Sequence, residues 1–510
     1  MPGNRSLVVH NGHAFALAEC PLASIDEFRQ AVVDGVQADA RLATFFAHPA
    51  AEGRVRLWAV LARSAQGDLE VLSAEVQGQY PAITPECPQS HWFEREVFEQ
   101  CGVRPVGHPW LKPLRFPAPG TCGSTDFFAM AGDEVHEVAV GPVHAGIIEP
   151  GHFRFQCHGE TVYHLEISLG YQHRGVERAM IGGPDRRTIH YMETLAGDST
   201  AGHATAYSRA VEALSATRVP ARAQGLRGVA LELERVANHL GDLGALAGDV
   251  GFLPTMSYCG RIRGDVLNMT ALLCGNRFGR GLVRPGGVAF DVDPRIVGQL
   301  RRRLGTVSQD AHNAVELLWD SPSVMARFDG VGVVPLDLCQ QLGLVGVAAR
   351  ASGVACDVRR DFPYGIYRFA HIPVSTWHTG DVFARAYVRW LEVQRSLVFI
   401  GEQLDALPEG PVSGVEQAHA GADAGRTGNP SGNAPILAAD QMAVTLVEGW
   451  RGEICHAAIT GGDGRFCRYK VVDPSFHNWF GLAMALRNQQ ISDFPVCNKS
   501  FNLSYCGHDL

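Results

Sequence analysis

Alternation of apolar and polar residues predicts a β-hairpin over residues 153–169. The alternation is interrupted at residues 157–160, Cys-His-Gly-Glu, where the glycine can provide the turn. The same period of two predicts strands over residues 55–62 and 69–76, joined by a short polar turn. The pattern therefore places antiparallel strand pairs in two separate parts of the chain.

Apolar residues spaced three to four apart predict long helices through the second half of the chain. Val219-Pro220 marks a break before the first of them. A later segment returns to alternation and predicts a further hairpin, closed by a glycine-rich turn. The predicted helices cover residues 221–250, 255–278 and 294–320, with others beginning at Gly380 and Pro474, and the hairpin lies within residues 442–472.

A further helix is predicted after Ser90, which is a plausible N-cap. Phe93 and Val97 share one face of it and are expected to be buried. Glu94, Arg95 and Glu96 then predict a solvated, salt-bridging face rather than a catalytic one.

These elements predict an α+β protein in which a small N-terminal α+β domain is fused to a mainly helical domain with β-hairpins. The first domain is placed at residues 1–120, a Pro/Gly-rich linker at 121–134, and the large domain at 135–510. Residues 408–435 are rich in Gly, Ala and Ser without periodicity, and they predict a flexible surface loop.

Composition narrows the function classes. The chain has 510 residues, 46% hydrophobic and 19% charged, which is ordinary for a globular protein, and its net charge of −9 argues against nucleic-acid binding. The sequence shows no apolar run of the length needed to span a membrane and no visible signal peptide. Its 13 cysteines contain no Cys-x-x-Cys pair, so they are expected to be reduced thiols in a cytoplasmic protein.

Candidate chemistry concentrates in residues 141–207, which hold seven of the 21 histidines. After a turn at residues 182–185, a long helical pattern begins whose first turns carry Glu193, Asp198, Ser199 and His203. Neighbouring leucine and alanine residues look like packing positions, so this is an unusual place for so many ionisable groups. The arrangement predicts a site.

This region resembles the large subunit of the energy-converting (group 4) nickel–iron hydrogenases, including that of formate hydrogenlyase, and the related 49 kDa subunit of respiratory complex I. The resemblance is carried by Gly-Pro-Val-His at 141–144, Glu-Pro-Gly-His-Phe-Arg at 149–154 and His-Arg-Gly-Val-Glu at 173–177. Residues 92–109 resemble the 30 kDa subunit of complex I, which some hydrogenlyases fuse to the large subunit in this order.

The hydrogenase resemblance implies two pairs of nickel-ligating cysteines, and this chain lacks both. The first pair falls on Ala196 and Ser199, and the second on Ser504 and Gly507. Nickel in such a site depends on soft thiolate ligands. We therefore expect no metal site, and intrinsic hydrogenase activity would require unprecedented ligands such as Cys497 or Cys506.

The complex I resemblance implies a quinone pocket, and it too is incomplete here. A tyrosine that holds the quinone head group in that branch is replaced by Gly197. His144 and His152 match histidines of the first loop of that branch and are the candidate cofactor-binding residues. The chain is expected to bind no cofactor of its own, with an iron–sulfur cluster in a partner subunit and a quinone as a possible ligand.

The resemblance gathers the candidate site residues into the cavity of these families. Carboxylates beside imidazoles can relay protons, because burial and neighbouring charges move their pKa values toward neutrality. Glu234 and His239 are interpreted as structural members of an ion-pair network behind the site, and Asp357 is expected to pair with Arg359 or Arg360. The predicted catalytic or cavity-lining residues are Glu149, His152, Asp198, Ser199 and His203, with Ser504 and His508 from the C-terminal tail.

Three functions remain open at this point. The first is a coupling subunit of a membrane-associated redox complex. In that case electron transfer in a complex I-type iron–sulfur subunit changes the protonation of this chain, and the change drives ion movement in antiporter-like membrane subunits. The second is a catalytic subunit, either a hydrogenase or a quinone-reactive NADH dehydrogenase type. The third is a structural scaffold. The first implies membrane contact through partners alone, on the cytoplasmic face of the inner membrane.

Overall fold

A computed structural model describes residues 5–115, 125–144, 148–414 and 436–510. Helices and several small sheets, antiparallel in most of their pairings, make up these residues and confirm the α+β class. Part of the predicted linker and residues 415–435 of the predicted flexible loop lie outside the described residues. Residues 125–134, the described part of the linker, contain no regular strand or helix.

The N-terminal unit is a five-stranded sheet covered by helices. Its strands run in the order β1-β6-β5-β4, and β3 pairs with β6 in parallel. The predicted strands 55–62 and 69–76 are confirmed as β5 and β6. The elements are β1 (Leu7–Val9), β2 (Ala14–Ala16), β3 (Leu22–Ala23), α1 (Ile25–Gln37), β4 (Arg41–Pro49), β5 (Val55–Arg63), β6 (Asp68–Val76), β7 (Gln79–Pro81), α2 (His91–Cys101) and β8 (Arg104–Val106).

Glu94, Arg95 and Glu96 of α2 are buried, so the predicted solvated face is wrong. Glu94 is fully buried. Hydrogen bonds from the Ile83 and Thr84 backbone amides to its carboxylate compensate for the loss of water. Glu96 is buried against Arg115 and Lys470, which brings a strand of the C-terminal part into contact with α2. Tertiary pairing of charges across the chain, which periodicity does not report, explains the difference.

Ser90 does not cap α2 with its side chain. It ends a short 3-10 turn, and its hydroxyl donates to the Cys87 carbonyl oxygen instead. Phe93 and Val97 are buried, as predicted.

The predicted hairpin of the central region is confirmed. Strands β10 (His152–His158) and β11 (Thr161–Ser168) pair antiparallel around Gly159, whose positive φ of 56° suits the turn. Strand β9 (Val135–Val140) joins the other edge of β10. The sheet begins at His152, one of the predicted site residues.

The single long helix predicted after residue 185 is two helices with a loop between them. Glu193 ends α4, whereas Asp198 and Ser199 lie in the loop before α5. Glu193 is drawn away from the loop because it accepts from Gly281 and pairs with Arg284. The elements are α3 (Val176–Ala179), α4 (Thr188–Glu193) and α5 (Thr200–Leu214).

The helical part of the molecule is built around α6, which packs against α7 and α13. Gly244 permits the close approach to α7, since a Cβ there would lie 2.9 Å from the Cβ of Cys259. The predicted break at Pro220 is confirmed. The elements are α6 (Ala221–Asp249), α7 (Leu253–Cys274), β12 (Val283–Arg284), β13 (Gly287–Val288), α8 (Pro294–Trp319), α9 (Pro322–Phe328), α10 (Leu336–Leu342), α11 (Gly346–Ala351), α12 (Val358–Asp361) and α13 (Val382–Asp405).

A four-stranded sheet and three short helices complete the chain. The sheet runs β16-β15-β14-β2, so a strand from the N-terminus is its outer member. Its hairpin β14–β15 packs on α5. The elements are β14 (Gln441–Gly449), β15 (Gly452–Thr460), β16 (Phe466–Val472), α14 (Pro474–Ala485), α15 (Phe494–Phe501) and α16 (Tyr505–Asp509).

Both parts of the chain share one hydrophobic core, which continues from the N-terminal sheet through α5 and α6 into the C-terminal sheet. Across the described ranges, every helix is too short or too polar to cross a lipid bilayer.

Candidate functional site

The loop before α5 is held by an ion pair. Asp198 accepts two hydrogen bonds of 2.7 Å from the guanidinium of Arg451, which lies in the turn between β14 and β15. Burial lowers the pKa of Arg451, but the Asp198 carboxylate, together with Asp473 and Asp242, outweighs burial and holds that pKa above its ordinary value. Arg451 is therefore charged at neutral pH.

The backbone of this loop is fixed as firmly as its side chain. The Asp198 carbonyl oxygen accepts from the Asn238 amide of α6 at 2.8 Å and from the Trp450 indole at 2.9 Å. The Arg451 guanidinium lies 3.9 Å from the centroid of the Trp450 ring. The Ser199 hydroxyl oxygen lies 3.4 Å from Asp198 Oδ1 and 3.4 Å from a guanidinium nitrogen of Arg451.

A chain of buried hydrogen bonds starts one helical turn further along α5. His203 Nε2 lies 3.0 Å from Asp473 Oδ2, and its Nδ1 lies 3.1 Å from His456 Nε2. His456 Nδ1 lies 2.9 Å from the hydroxyl of Tyr469. All four side chains are fully buried. We call Asp473, His203, His456 and Tyr469 the buried relay.

The protonation states of the side chains in the buried relay determine which atom donates each hydrogen bond. Burial raises the pKa of Asp473, but the hydrogen bond from His203 and the charge of Arg451 outweigh burial and leave it below its ordinary value. An ionised carboxylate can only accept, so His203 donates from Nε2. Burial and the adjacent His203 lower the pKa of His456 well below its ordinary value, so His456 is neutral. When His203 is neutral too, Tyr469 donates to His456 and His456 donates to His203.

The C-terminal tail closes over the Asp473 end of the buried relay. The Ser504 amide donates to the Ser475 hydroxyl at 2.8 Å, and the Ser504 hydroxyl accepts from the Gly507 amide at 2.9 Å. A Cβ on Gly507 would lie 2.6 Å from the carboxyl carbon of Asp473, so only glycine fits at this position. The tail therefore meets the region of residues 196–203 through Asp473 and Arg451.

These residues do not fit a nickel–iron centre. Of the four cysteine positions, Ala196 and Gly507 carry no donor atom, while the hydroxyls of Ser199 and Ser504 are hard donors already engaged in hydrogen bonds. The Arg451 cation beside them disfavours a second positive charge. Over the described ranges, no three His, Cys, Asp or Glu side chains are grouped as a metal ion would require.

Glu234 supports the same helix from behind. Its carboxylate accepts from the backbone amides of Ala201 and Gly202 at 2.6 and 3.1 Å, so it satisfies free donors in the first turn of α5. Burial, with a smaller contribution from Asp198, raises the pKa of Glu234 to about 8. This carboxyl group therefore changes protonation near neutral pH.

The remaining predicted residues lie around this centre in different ways. Glu149 accepts from the Tyr505 amide at 3.3 Å, so it contacts the tail. His144 lies 3.5 Å from the Tyr505 hydroxyl, and burial lowers its pKa. His152 makes its contacts with Gly141, Arg154 and the ring of Phe127, and burial lowers its pKa as well.

His508 is directed to the interface with the N-terminal unit. Its ring stacks on Phe476 and meets Trp92 edge to face, and its Nδ1 lies 3.0 Å from Asp509. The structure thus brings together Asp198, Ser199, His203 and Ser504 through Arg451 and Asp473. His152 and His508 have their contacts elsewhere.

Comparison with known proteins shows which family this chain belongs to. The sequence model of the family described as respiratory-chain NADH dehydrogenase, 49 Kd subunit, matches residues 249–509, and that of the 30 Kd subunit matches residues 32–120. The chain belongs to the 49 kDa family. It carries the 30 kDa domain fused ahead of it, which confirms the resemblance drawn from the motifs.

Curated relatives come from several respiratory-type complexes. Formate hydrogenlyase subunit 5 of Escherichia coli (strain K12) is 31% identical over 455 residues, which cover 84% of this chain and 76% of that protein. Carbon monoxide-induced hydrogenase of Rhodospirillum rubrum is 31% identical over 371 residues, 72% and 97% of the two chains. NADH-quinone oxidoreductase subunit 4 of Thermus thermophilus is 31% identical over 382 residues, 71% and 90% of the two chains.

A charged network lies behind the site in this family member, as expected for His239. The His239 ring lies 2.9 Å from Glu392, and Asp357 pairs with Arg359 at 2.6 Å. Burial, with Asp357 second, raises the pKa of Glu448 in this network to about 7. Glu234 is separate from the network. The network's carboxylates and guanidiniums belong to Glu232, Asp357, Glu392 and Glu448, and to Arg235, Arg350 and Arg359.

Sequence reasoning missed the partners that complete the site. Arg451, His456 and Tyr469 lie in the C-terminal sheet, where their neighbours are set by strand pairing and by the packing of that sheet on α5. Asp473 was visible as the residue before a helix, and it does accept from the Ser475 amide as a cap. Its second role, as the partner of His203, carried no signal in the sequence.

Proposed function

We propose that this chain is a proton-handling coupling subunit of a membrane-associated respiratory-type redox complex, without a nickel–iron centre of its own. The buried relay is the observation that carries the proposal. A line of four fully buried titratable side chains is costly to build, because each must find a partner away from water. It lies beside the Asp198–Arg451 pair, next to positions where the resemblance to the hydrogenases implies metal-ligating cysteines.

The buried relay can move a proton without any side chain leaving its partner. A proton that reaches the Tyr469 oxygen releases the hydroxyl proton to His456 Nδ1, and His456 Nε2 passes its own proton to His203 Nδ1. His203 then donates from both nitrogens, and Asp473 stabilises the resulting cation at 3.0 Å. Each bond that forms replaces one that breaks, so the proton count balances along the chain.

Under the same proposal, the partners are those that the resemblance to these families implies. A complex I-type iron–sulfur subunit supplies the electrons, and antiporter-like membrane subunits receive the protonation change. Contact with the membrane goes through those subunits, on its cytoplasmic face. Under this proposal the chain itself binds no redox cofactor, and Glu149 and Ser199 act through their contacts with the tail and with Arg451.

The test is made in the intact complex, with Asp473→Asn and His203→Gln as the variants. Each removes proton transfer at one position, so we expect turnover and ion transport to fall together by a factor on the order of 10². His477→Gln is the matched control, because His477 is equally buried, lies on α14 and has no bond to the buried relay. Assembled variants with wild-type turnover and transport would make the chain a scaffold.

Two further measurements separate the alternatives. Elemental analysis of the purified chain should find no stoichiometric nickel, and finding it would overturn the proposal. A quinone-reactive subunit, with His144 and His152 at the head group, is the alternative. Labelling of either histidine by a photoreactive quinone would favour it.

A further inference from the structure

A cavity of about 450 Å³ opens on the other face of α5, away from the loop that holds Asp198. Its walls come from α5, from α6, from the turn at Gly365–Arg368 and from the N-terminal segment before β2. The volume lies within the range of small-molecule sites. Nothing in the buried relay uses this cavity.

The charges around the cavity do not balance. Three guanidiniums line it, those of Arg209, Arg227 and Arg368, with Glu212 as the carboxylate among the lining residues. Glu212 is already committed, since it accepts from Arg227 at 2.6 and 3.2 Å and from the Gly286 amide at 2.7 Å. Two positive charges are therefore left without a carboxylate partner within the described part of the chain.

Arg209 is the clearest case. Its guanidinium donates only to neutral oxygens, those of Leu446 at 2.8 Å and of Asn11 at 3.2 and 3.3 Å. It also lies 4.7 Å from the ring centroid of Tyr364. Burial lowers the pKa of Arg209 to about 10, so the group is still charged at neutral pH. Arg209 is half-buried. A cation partly removed from water without a counter-ion is costly, and an anion would relieve that cost.

Two other side chains point to the same kind of ligand. Thr205 lines the cavity, and its buried hydroxyl has no hydrogen-bond partner among the described residues. His13 is an exposed lining residue, and burial together with His10, Arg368 and Arg209 lowers its pKa. The guanidiniums therefore make the field in the cavity positive, and an unpaired hydroxyl lies in its wall.

We propose that this cavity binds a small oxyanion ligand, a molecule carrying a phosphate or carboxylate group. Arg209 and Arg368 provide the charge, and Thr205 donates a hydrogen bond to one of the oxygens. Guanidinium groups suit this role because their planar donors match the oxygens of both anions. The site is independent of the proposed proton handling, so either proposal can fail without the other.

The experiment is calorimetric titration of the purified full chain with inorganic phosphate and, separately, with citrate, at an ionic strength kept constant with chloride. We expect saturable binding of at least one probe. Binding of phosphate alone identifies a phosphate-bearing ligand, and binding of citrate alone identifies a carboxylate. The proposal would be overturned if neither phosphate nor citrate released or absorbed more heat than a titration with chloride alone.

Variants tie the binding to the cavity. Arg368→Gln should weaken binding about ten-fold or more, because it removes one charged hydrogen-bond donor from an exposed position where folding is not at risk. Thr205→Val keeps the shape and removes the hydroxyl, and it should also weaken binding. Arg303→Gln is the matched control, since Arg303 is an exposed arginine on α8 that does not line the cavity. Equal affinities of the Arg368 and Arg303 variants would mean that the anion binds outside this cavity.

Discussion

At the scale of single residues, burial next to helix α5 brings the pKa of one carboxyl group close to neutrality. Glu234 is the clearest example, because its carboxylate faces the first-turn amides of α5 and is still kept from water. Burial favours the neutral acid and the amide donors favour the anion, and burial is the larger effect, giving a pKa of about 8. The protonation of one residue is thus linked to the position of the loop that carries Asp198.

The pKa of Glu234 predicts how stability depends on pH. Because the folded-state pKa is raised above the unfolded value, the folded protein binds the extra proton between about pH 4.5 and 8. The stabilisation is complete below that window and is lost as the pH rises through it. In urea denaturation, the wild type should lose stability from pH 5 to 8 relative to Glu234→Gln, in which the group cannot ionise. Parallel profiles for the two proteins would contradict the assignment.

At the scale of elements, helix caps show which helix boundaries are determined by residues close in the sequence. Helices α8, α13 and α14 begin after an aspartate whose side chain accepts from the first turn, and the start of α8 and α14 at a proline was predicted. The start of α5 was misplaced because no side chain caps it locally. Its amides are satisfied by Glu234, which is 33 residues away from Ala201 in the sequence.

Removal of one local cap has a predictable cost. Asp293 accepts from the Ile296 amide at 2.7 Å at the start of α8, so Asp293→Ala should lower the free energy of unfolding by about 1 kcal/mol. Ser321→Ala is the control, because Ser321 holds the same position before α9 without a capping hydrogen bond. Its effect should stay within about 0.5 kcal/mol. Chemical denaturation followed by tryptophan fluorescence measures both, and a similar loss in the two variants would refute the capping account.

At the scale of the whole molecule, charges buried between distant parts of the chain hold the N-terminal unit against the rest. Lys470 of β16 reaches Glu96 of α2 at 2.6 Å and Glu177 of α3 at 2.9 Å. Burial raises the pKa of Glu177, but Lys470, Arg468 and Arg115 outweigh it and lower the pKa to about 2. Strand β2 crosses in the other direction and extends the C-terminal sheet. Buried contacts therefore join the two family domains in both directions.

Breaking the contact between Lys470, Glu96 and Glu177 should lower the stability of the whole protein. Lys470→Met removes the shared cation and leaves two buried carboxylates with fewer partners, so we expect a loss of about 3 kcal/mol in the free energy of unfolding. Arg301→Met removes an exposed ion pair with Asp405 and should cost less than about 1 kcal/mol. Denaturation followed both by fluorescence and by circular dichroism should show a single transition in the wild type. Two separate transitions would mean that the domains unfold independently.

The sequence by itself determined the α+β class, the hairpins, the long helices and the family, because periodicity, proline positions and irregular motifs are local properties. It also predicted that the sulfur ligands are absent and placed Asp198, Ser199 and His203 in one candidate site. Only the tertiary structure decided what replaced the sulfur. Strand pairing and the packing of the C-terminal sheet on α5 brought Arg451 to Asp198 and Asp473 to His203, across more than 250 residues of chain. Such contacts depend on how elements pack together, and no spacing within one element reports them.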